Sequence, residues 1–157
     1  MSVVPTLVPP PQPSLAPGEA LVLWALRLGA AQPANGPLID QELSLAYGPL
    51  DGPPAAGALA RLAATLERHG RRKLRLAHPA EAAPTPDERA VLLLLAASQA
   101  RDWALRDALL LWLVRPAGRD VAARAALALG AALDRGGHAL PPPQQVRPAA
   151  PKARALP

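Results

Sequence analysis

The chain contains no cysteine and no phenylalanine, and aromatic residues make up only 3% of the sequence. Without a thiol, the protein cannot form disulfides, bind a metal through thiolates or use a cysteine nucleophile. The few aromatic residues are Trp24, Tyr47, Trp103 and Trp112, which is a poor supply for a base-stacking platform. The missing cysteine fits a reducing compartment, so we expect a cytoplasmic protein.

Histidine is also scarce and occurs only at positions 69, 78 and 138. A run of cations separates His69 from His78, and its charge would oppose a bound metal ion. The sequence contains neither the H-E-x-x-H motif of zinc enzymes nor a glycine-rich phosphate-binding motif. We therefore expect no metal, no cofactor and no enzymatic activity.

Two acidic pairs, Asp87/Glu88 and Asp102/Asp107, are the remaining candidates for acid–base chemistry. Arginines stand beside both pairs in the sequence, namely Arg89, Arg101 and Arg106. An acid with an arginine close by is typical of surface ion pairing or helix capping. We expect these roles, and no catalytic dyad, for both pairs.

The sequence predicts neither a signal peptide nor a membrane span. Residues 1–17 contain no lysine or arginine and are interrupted by prolines, so they cannot form the apolar core of a signal peptide. The apolar stretch from Ala90 to Val114 is long enough to cross a bilayer. Charged residues at its centre would each cost about 2.5–3.5 kcal/mol there, which argues against insertion.

Proline-rich segments at both ends enclose the part of the chain that can form a core. We expect residues 1–16 to be a disordered tail, 17–137 to be a single helical domain, and 138–157 to be a disordered basic tail. The remaining length is enough for one modest hydrophobic core. The bias toward alanine, leucine, arginine and proline is typical of a bacterial sequence of high GC content.

Between the tails, apolar residues recur with helical spacing. The pattern predicts an all-α protein, a compact bundle of about five to six helices with one short extended basic segment. Proline and glycine residues that start and stop helices mark the boundaries. The predicted helices are 17–31, 37–47, 53–69, 86–98, 102–114 and 119–135.

The clearest helix boundary lies at Thr85-Pro86-Asp87-Glu88, which spells a capping box with proline at the first helical position. The apolar run from Val91 to Ala97 follows, so we expect this helix to be central. Asp102 is a plausible N-cap for the next helix. We therefore predict two tightly joined helices over this region, because a single helix of about 43 Å would be longer than so small a core can cover.

Three helices carry more large apolar side chains than a small bundle can enclose. Some of these side chains should therefore lie on the surface and mark a contact with a protein partner or with a second copy. Our leading hypothesis is a non-enzymatic interaction module that self-associates or docks on a protein partner. The predicted partner-binding residues are Trp24, Leu28, Trp103, Leu109 and Trp112. The alternative is that other helices and the tails cover them.

The second hypothesis is a nucleic-acid-associated protein, and it depends on one cluster of cations. We call it the basic segment, residues 68–75, and its cations are Arg68, Arg71, Arg72, Lys73 and Arg75. Such a cluster could contact phosphates, with help from the basic C-terminal tail. However, no aromatic residue lies within the segment, and a solvated loop between helices explains it as well.

Overall fold

The computed structural model describes residues 15–143, so most of both predicted tails lies outside the described residues. Within this range the chain forms five α-helices and a short 3-10 turn between the first two. The helices are α1 (Pro17–Ala31), α2 (Gly36–His69), α3 (Pro86–Gln99), α4 (Trp103–Leu113) and α5 (Pro116–Arg135). The all-α prediction is confirmed. No helix in this range has the length and apolarity needed to cross a membrane.

Helix α2 is bent at Gly48, where the sequence predicted the end of a helix. Gly48 has a φ of 84°, which places it outside helical geometry and in a region that favours glycine. The second half of α2 resumes at Pro49, four residues before the predicted start at Pro53. The fixed φ of proline suits the first position of a helix, which explains the earlier start. At Gly52 the two halves pack so closely that a Cβ atom would overlap the backbone of Ser44.

Helix α3 is the centre of the bundle, as the sequence predicted. Val91, Leu94, Leu95 and Ala97 are fully buried. The helix begins with the predicted capping box, in which the hydroxyl of Thr85 accepts a hydrogen bond from the amide of Glu88 at 3.1 Å. This cap satisfies an amide that has no partner within the helix.

The break between α3 and α4 also agrees with the prediction. Arg101 has a φ of 57°, and the next residue, Asp102, caps α4 by accepting a hydrogen bond from the amide of Leu105 at 3.2 Å. The chain thus reverses direction without glycine or proline. Helix α5 begins at Pro116, three residues before the predicted start, again with proline at the first helical position.

The packed part of the chain extends beyond Gly137, where the sequence analysis ended the helical domain. Leu140 and Pro143 are buried, and the amide of Leu140 donates to the side chain of Gln99 at 2.8 Å. His138 packs edge-on against the ring of Tyr47, with 4.8 Å between the ring centres. Residues 138–143 therefore cover part of the core, although their prolines suggested a tail.

Candidate interaction site

The first turn of α3 holds two buried carboxylates that fasten the preceding loop to the bundle. Glu88 is fully buried and accepts two hydrogen bonds from the guanidinium of Arg27 on α1, both at 2.8 Å. It also accepts from the amides of Ala77 at 2.8 Å and Thr85 at 2.9 Å. Four donors thus compensate the loss of water around one carboxylate.

Asp87 fixes the basic end of the same loop. Its carboxylate binds both terminal nitrogens of Arg72, one of them at 2.9 Å, and accepts from the amide of Arg75 at 2.7 Å. The hydrogen bond from Arg72 lowers the pKa of Asp87, against the opposing effect of burial and with help from the Arg75 amide. This carboxylate is therefore charged throughout the neutral pH range.

Glu88 is also held in its charged form. Burial by itself raises the pKa of Glu88, but the hydrogen bonds from Arg27, Ala77 and Thr85 outweigh it, so the pKa is below its usual range. The sequence predicted surface ion pairs or caps for Asp87 and Glu88, with Arg89 as the nearby cation. The capping role of Glu88 is confirmed, but its ion pair with Arg27 is buried and does not lie on the surface. Asp87 is buried as well, although its partner Arg72 reaches it from the surface, and neither acid pairs with Arg89.

This anchoring brings the basic segment against the C-terminal end of α4. The guanidinium of Arg72 lies over the ring of Trp112, 5.1 Å from its centre. The side chain of Arg71 donates to the carbonyl of Leu111 at 2.6 Å. A short antiparallel bridge between Gly70 and Val114 continues the contact. The predicted extended basic segment is thus a loop tied to α4 and belongs to no strand of the described chain.

Helix α4 buries little of its own surface. Of its 11 residues, only Leu110 and Leu113 are fully buried, and they point to one side. The opposite side carries Leu111 and Trp112, which are 54% and 51% exposed, together with Ala104, Ala108 and the exposed carboxylate of Asp107. Trp103, which is 39% exposed, stands nine positions before Trp112 and therefore lies half a helical circle away from it, next to the buried side. We call the surface formed by Ala104, Asp107, Ala108, Leu111 and Trp112 the α4 face.

An arginine lies over each exposed tryptophan of α4. Arg72 lies over Trp112, and Arg106 lies over Trp103 with its guanidinium 4.6 Å from the ring centre. Such cation–π contacts are weak at exposed sites. Arg106 also pairs with its neighbour Asp107 at 2.8 Å. Each indole is therefore covered on one side by a guanidinium.

The structure separates the five predicted partner-binding residues into two groups. Trp112 lies on the α4 face, and Trp103 is exposed on another side of α4, at its first residue. Trp24, Leu28 and Leu109 are partly buried and pack against the core. Sequence reasoning missed Leu111, which is the most exposed leucine of α4. The sequence did contain a signal for an exposed leucine. Helix α4 carries apolar residues on every side, and not all sides of a helix can face the core.

All five cations of the basic segment are exposed. Two of them also have partners, because Arg72 binds Asp87 and covers Trp112, and Arg71 donates to the carbonyl of Leu111. Folding places Trp112 of α4, which stands 40 positions after Arg72 in the chain, beside the basic segment. The segment itself contains no aromatic residue. A basic cluster beside an exposed indole is thus a product of folding.

The three histidines have local contacts. Nδ1 of His78 accepts from the amide of Ala80 at 3.1 Å, and the carbonyl of His69 accepts from the amide of Arg115 at 2.8 Å. His138 contacts Tyr47, whose pKa is raised to about 12 by burial. Among residues 15–143, no cluster of histidine and carboxylate side chains has the arrangement of a metal site.

A surface groove of about 400 Å³ lies between the two halves of α2. Asp40, Ser44 and Pro53 line it, together with Ala56, Gly57 and Ala60. The small side chains make it shallow and open.

No family model, curated protein or solved structure matches this chain. Its function is therefore inferred from its own residues.

Proposed function

We propose that this protein is a non-enzymatic assembly module that associates with copies of itself through the α4 face. The observation that carries the proposal is the exposure of Leu111 and Trp112 side by side on a helix that buries only two residues. Tryptophan and arginine are among the residues most enriched where protein interfaces gain their binding energy. At the edge of the α4 face, the guanidinium of Arg72 lies over the ring of Trp112.

The size of the α4 face limits the expected affinity. Burying a fully exposed leucine or similar side chain contributes about 1.5–3 kcal/mol, and these side chains are already half-buried. Association also costs several kcal/mol in lost translational and rotational freedom. We therefore expect weak association, which has to be measured at concentrations up to about 1 mM.

The setting of this activity belongs to the same proposal. The absence of cysteine supports a reducing compartment, and we place the protein in the cytoplasm. The alanine, leucine, arginine and proline bias supports a bacterial source. An assembly module of this kind needs no cofactor, since binding energy from the α4 face is its only contribution.

Sedimentation velocity over a concentration series tests the proposal directly. We expect the average molar mass of the wild type to rise above the 16.3 kDa of one chain as concentration increases. The double variant L111S/W112A should stay at the mass of one chain, because both residues lie on the surface and their loss leaves the core intact. The control L127S removes an exposed leucine from α5 and should behave like the wild type.

Two results would overturn self-association through α4. One is a wild type that remains at the mass of a single chain over the whole concentration range. The other is association that L111S/W112A and L127S reduce equally, which would show that exposed apolar area in general, and no particular face, drives the contact. Circular dichroism of each variant confirms that the helices are retained.

A second candidate function is binding of single-stranded nucleic acid by the basic segment. The observation in its favour is Trp112, which folding places beside Arg71 and Arg72. Proteins that bind single strands combine cations that contact phosphates with aromatic rings on which bases stack. The predicted contacts come from Arg68, Arg71, Lys73 and Arg75, which are exposed.

Fluorescence anisotropy with a labelled oligothymidine strand tests this candidate. Four phosphate contacts predict a slope of about −3 in log affinity against log salt concentration, at −0.7 per phosphate on single strands. The variant K73A/R75A should weaken binding and reduce the slope, whereas R124A, which removes an exposed arginine from α5, should not. Equal losses in both variants, or no binding at low salt, would reject nucleic-acid binding.

A further inference from the structure

The first half of α2 carries the other large exposed apolar surface of the described chain. Ile39, Leu43 and Tyr47 face the core. Leu38 and Leu45, one heptad apart, lie on the opposite side, and Leu50 follows directly after the bend. Leu45 is 73% exposed and Leu50 is 86% exposed. We call the surface formed by Leu38, Glu42, Leu45 and Leu50 the α2 face.

Acidic residues outnumber cations around the α2 face. The sequence contains no lysine or arginine between Arg27 and Arg61, whereas it places Asp40, Glu42 and Asp51 in this interval. Glu42 is within one helical turn of both Leu38 and Leu45, so its carboxylate borders the apolar surface. One cation from another helix reaches this end of the fold, because Arg135 of α5 pairs with Asp51 at 3.0 Å.

Cations border the C-terminal end of the α4 face. Arg71 contacts the carbonyl of Leu111, Arg72 lies over Trp112, and Arg115 is exposed two residues after the helix ends. The face also carries one carboxylate, Asp107, which pairs with Arg106 at 2.8 Å. Two α4 faces packed against each other would bring these cations of both copies together, which opposes a symmetric contact. An apolar surface bordered by carboxylates is the complement that the α4 face requires.

The two faces lie at opposite ends of α5. At its N-terminal end, the side chain of Arg119 donates to the carbonyl of Val114, directly after α4. At its C-terminal end, Tyr47 packs on the backbone of Gly136. A helix of 20 residues is about 30 Å long. The α4 and α2 faces of one molecule therefore cannot cover each other.

We propose that the α4 face of one molecule binds the α2 face of a second copy, in a head-to-tail contact. This inference rests on the proposed function and adds the surface that receives α4. Each bound pair leaves one α4 face and one α2 face uncovered. A contact between two different surfaces continues from copy to copy unless it closes into a ring, so the assembly grows beyond a dimer.

Two complementary variants test the head-to-tail contact. The first, E42K/L45S, disrupts the α2 face and keeps the α4 face. The second, L111S/W112A, disrupts the α4 face and keeps the α2 face. We expect each variant alone to sediment as a single chain, at concentrations where the wild type forms species larger than a dimer. An equimolar mixture should form a complex of twice the 16.3 kDa chain mass and nothing larger.

The control for charge and exposed apolar area is E81K/L127S. It makes the same change in net charge and removes one exposed leucine, but outside both faces. We expect this control to associate like the wild type. Circular dichroism and urea unfolding of all three variants show whether the helical fold is retained, and the recovery of a complex in the mixture itself requires two folded partners.

Each outcome separates this inference from the proposed function. If E42K/L45S associates like the wild type while L111S/W112A does not, α4 binds elsewhere, and the head-to-tail contact is rejected while assembly through α4 stands. If the mixture gives only single chains although the wild type associates, the head-to-tail contact is also rejected. If the wild type does not associate at all, both proposals fail.

Discussion

Two arginines bind neighbouring carboxylates at the first turn of α3, yet they have different surroundings. Arg27 is buried with Glu88, and both hydrogen bonds between the two side chains are buried. Arg72 binds Asp87 from the surface, with 53% of its side chain exposed, and its guanidinium also covers Trp112. The same ion-pair chemistry thus anchors the core in one case and orders a surface in the other.

The difference teaches that burial decides what an arginine–carboxylate pair does. In the interior, removing one partner leaves the other charge buried without water. The fold therefore depends on the intact pair. At the surface, water replaces a lost partner, so the pair contributes little to stability. Its main effect is then to position the groups beside it. Arg72 positions the basic segment and Trp112, which form the edge of the α4 face.

The largest effect should come from breaking the inner pair. Arg27→Met leaves Glu88 buried with only the amides of Ala77 and Thr85 as donors. We expect a loss of about 3–5 kcal/mol in the free energy of unfolding, measured by urea denaturation. The control Arg89→Met changes an exposed arginine next to Glu88 on α3. It should lower the free energy of unfolding by no more than about 0.5 kcal/mol. Equal losses in the two variants would contradict the distinction.

Acid should weaken both pairs together. Asp87 and Glu88 have pKa values below their usual range in the folded state, so the unfolded chain takes up protons first as the pH falls. Their stabilisation is complete above about pH 5 and is lost as the pH falls through about 4 toward the lower folded values. Urea midpoints measured from pH 7 to about pH 3 test this expectation.

The variant Asp87→Asn isolates one carboxylate in that experiment. At neutral pH it should be less stable than the wild type, and the difference should shrink as the pH falls, because the wild-type carboxylate is then protonated too. The control Asp120→Asn removes a carboxylate that is 77% exposed, and its stability should run parallel to that of the wild type. A constant difference between Asp87→Asn and the wild type would contradict the pKa direction.

A smaller effect on stability, with a local signature, should follow from Arg72→Ala. This change removes the guanidinium that bridges Asp87 and Trp112 but leaves the Arg75 amide on Asp87. We expect a smaller loss of stability than for Arg27→Met, together with faster hydrogen exchange of amides in residues 70–77. Arg106→Ala removes the matching contact on Trp103 and should leave exchange in that loop unchanged. Unchanged exchange in Arg72→Ala would show that the loop does not depend on this arginine.

The smallest effect should come from the fully solvated pair on α5. Arg124 and Asp120 lie one turn apart with a separation of 3.0 Å, and both side chains are more than three-quarters exposed. Arg124→Ala should change the free energy of unfolding by no more than about 0.5 kcal/mol. A loss as large as that of Arg27→Met would mean that burial is not what separates the pairs.

Much of the fold could be predicted from local signals. The capping box at Thr85, the stop at Gly48 and the N-cap at Asp102 each act within one helical turn, and each is present in the structure. The second half of α2 starts four residues before the predicted position, because Pro49, Pro53 and Pro54 can each occupy a first turn. Helix α5 starts three residues before the predicted position, because Pro116 can either interrupt a helix or open one. Periodicity does not decide between these positions.

The candidate site was only partly predictable. Surplus apolar residues on α4 indicated exposed side chains, and both Trp103 and Trp112 are exposed, although only Trp112 lies on the α4 face. The same reasoning could not separate them from Trp24, because a helix with apolar residues all round does not reveal which side its neighbours cover. The burial of Asp87 and Glu88 was missed because their partners stand 15 and 61 positions away in the chain.

The sequence by itself determined where helices begin and end, since capping and turn formation depend on residues that are close in the chain. It also determined the separation of charge, with no cation between Arg27 and Arg61 and five within residues 68–75. Only the tertiary structure decided which arginine is buried, which indole is exposed and which cations border the α4 face. These properties depend on contacts between distant segments, and burial is set by the whole bundle and not by any one helix.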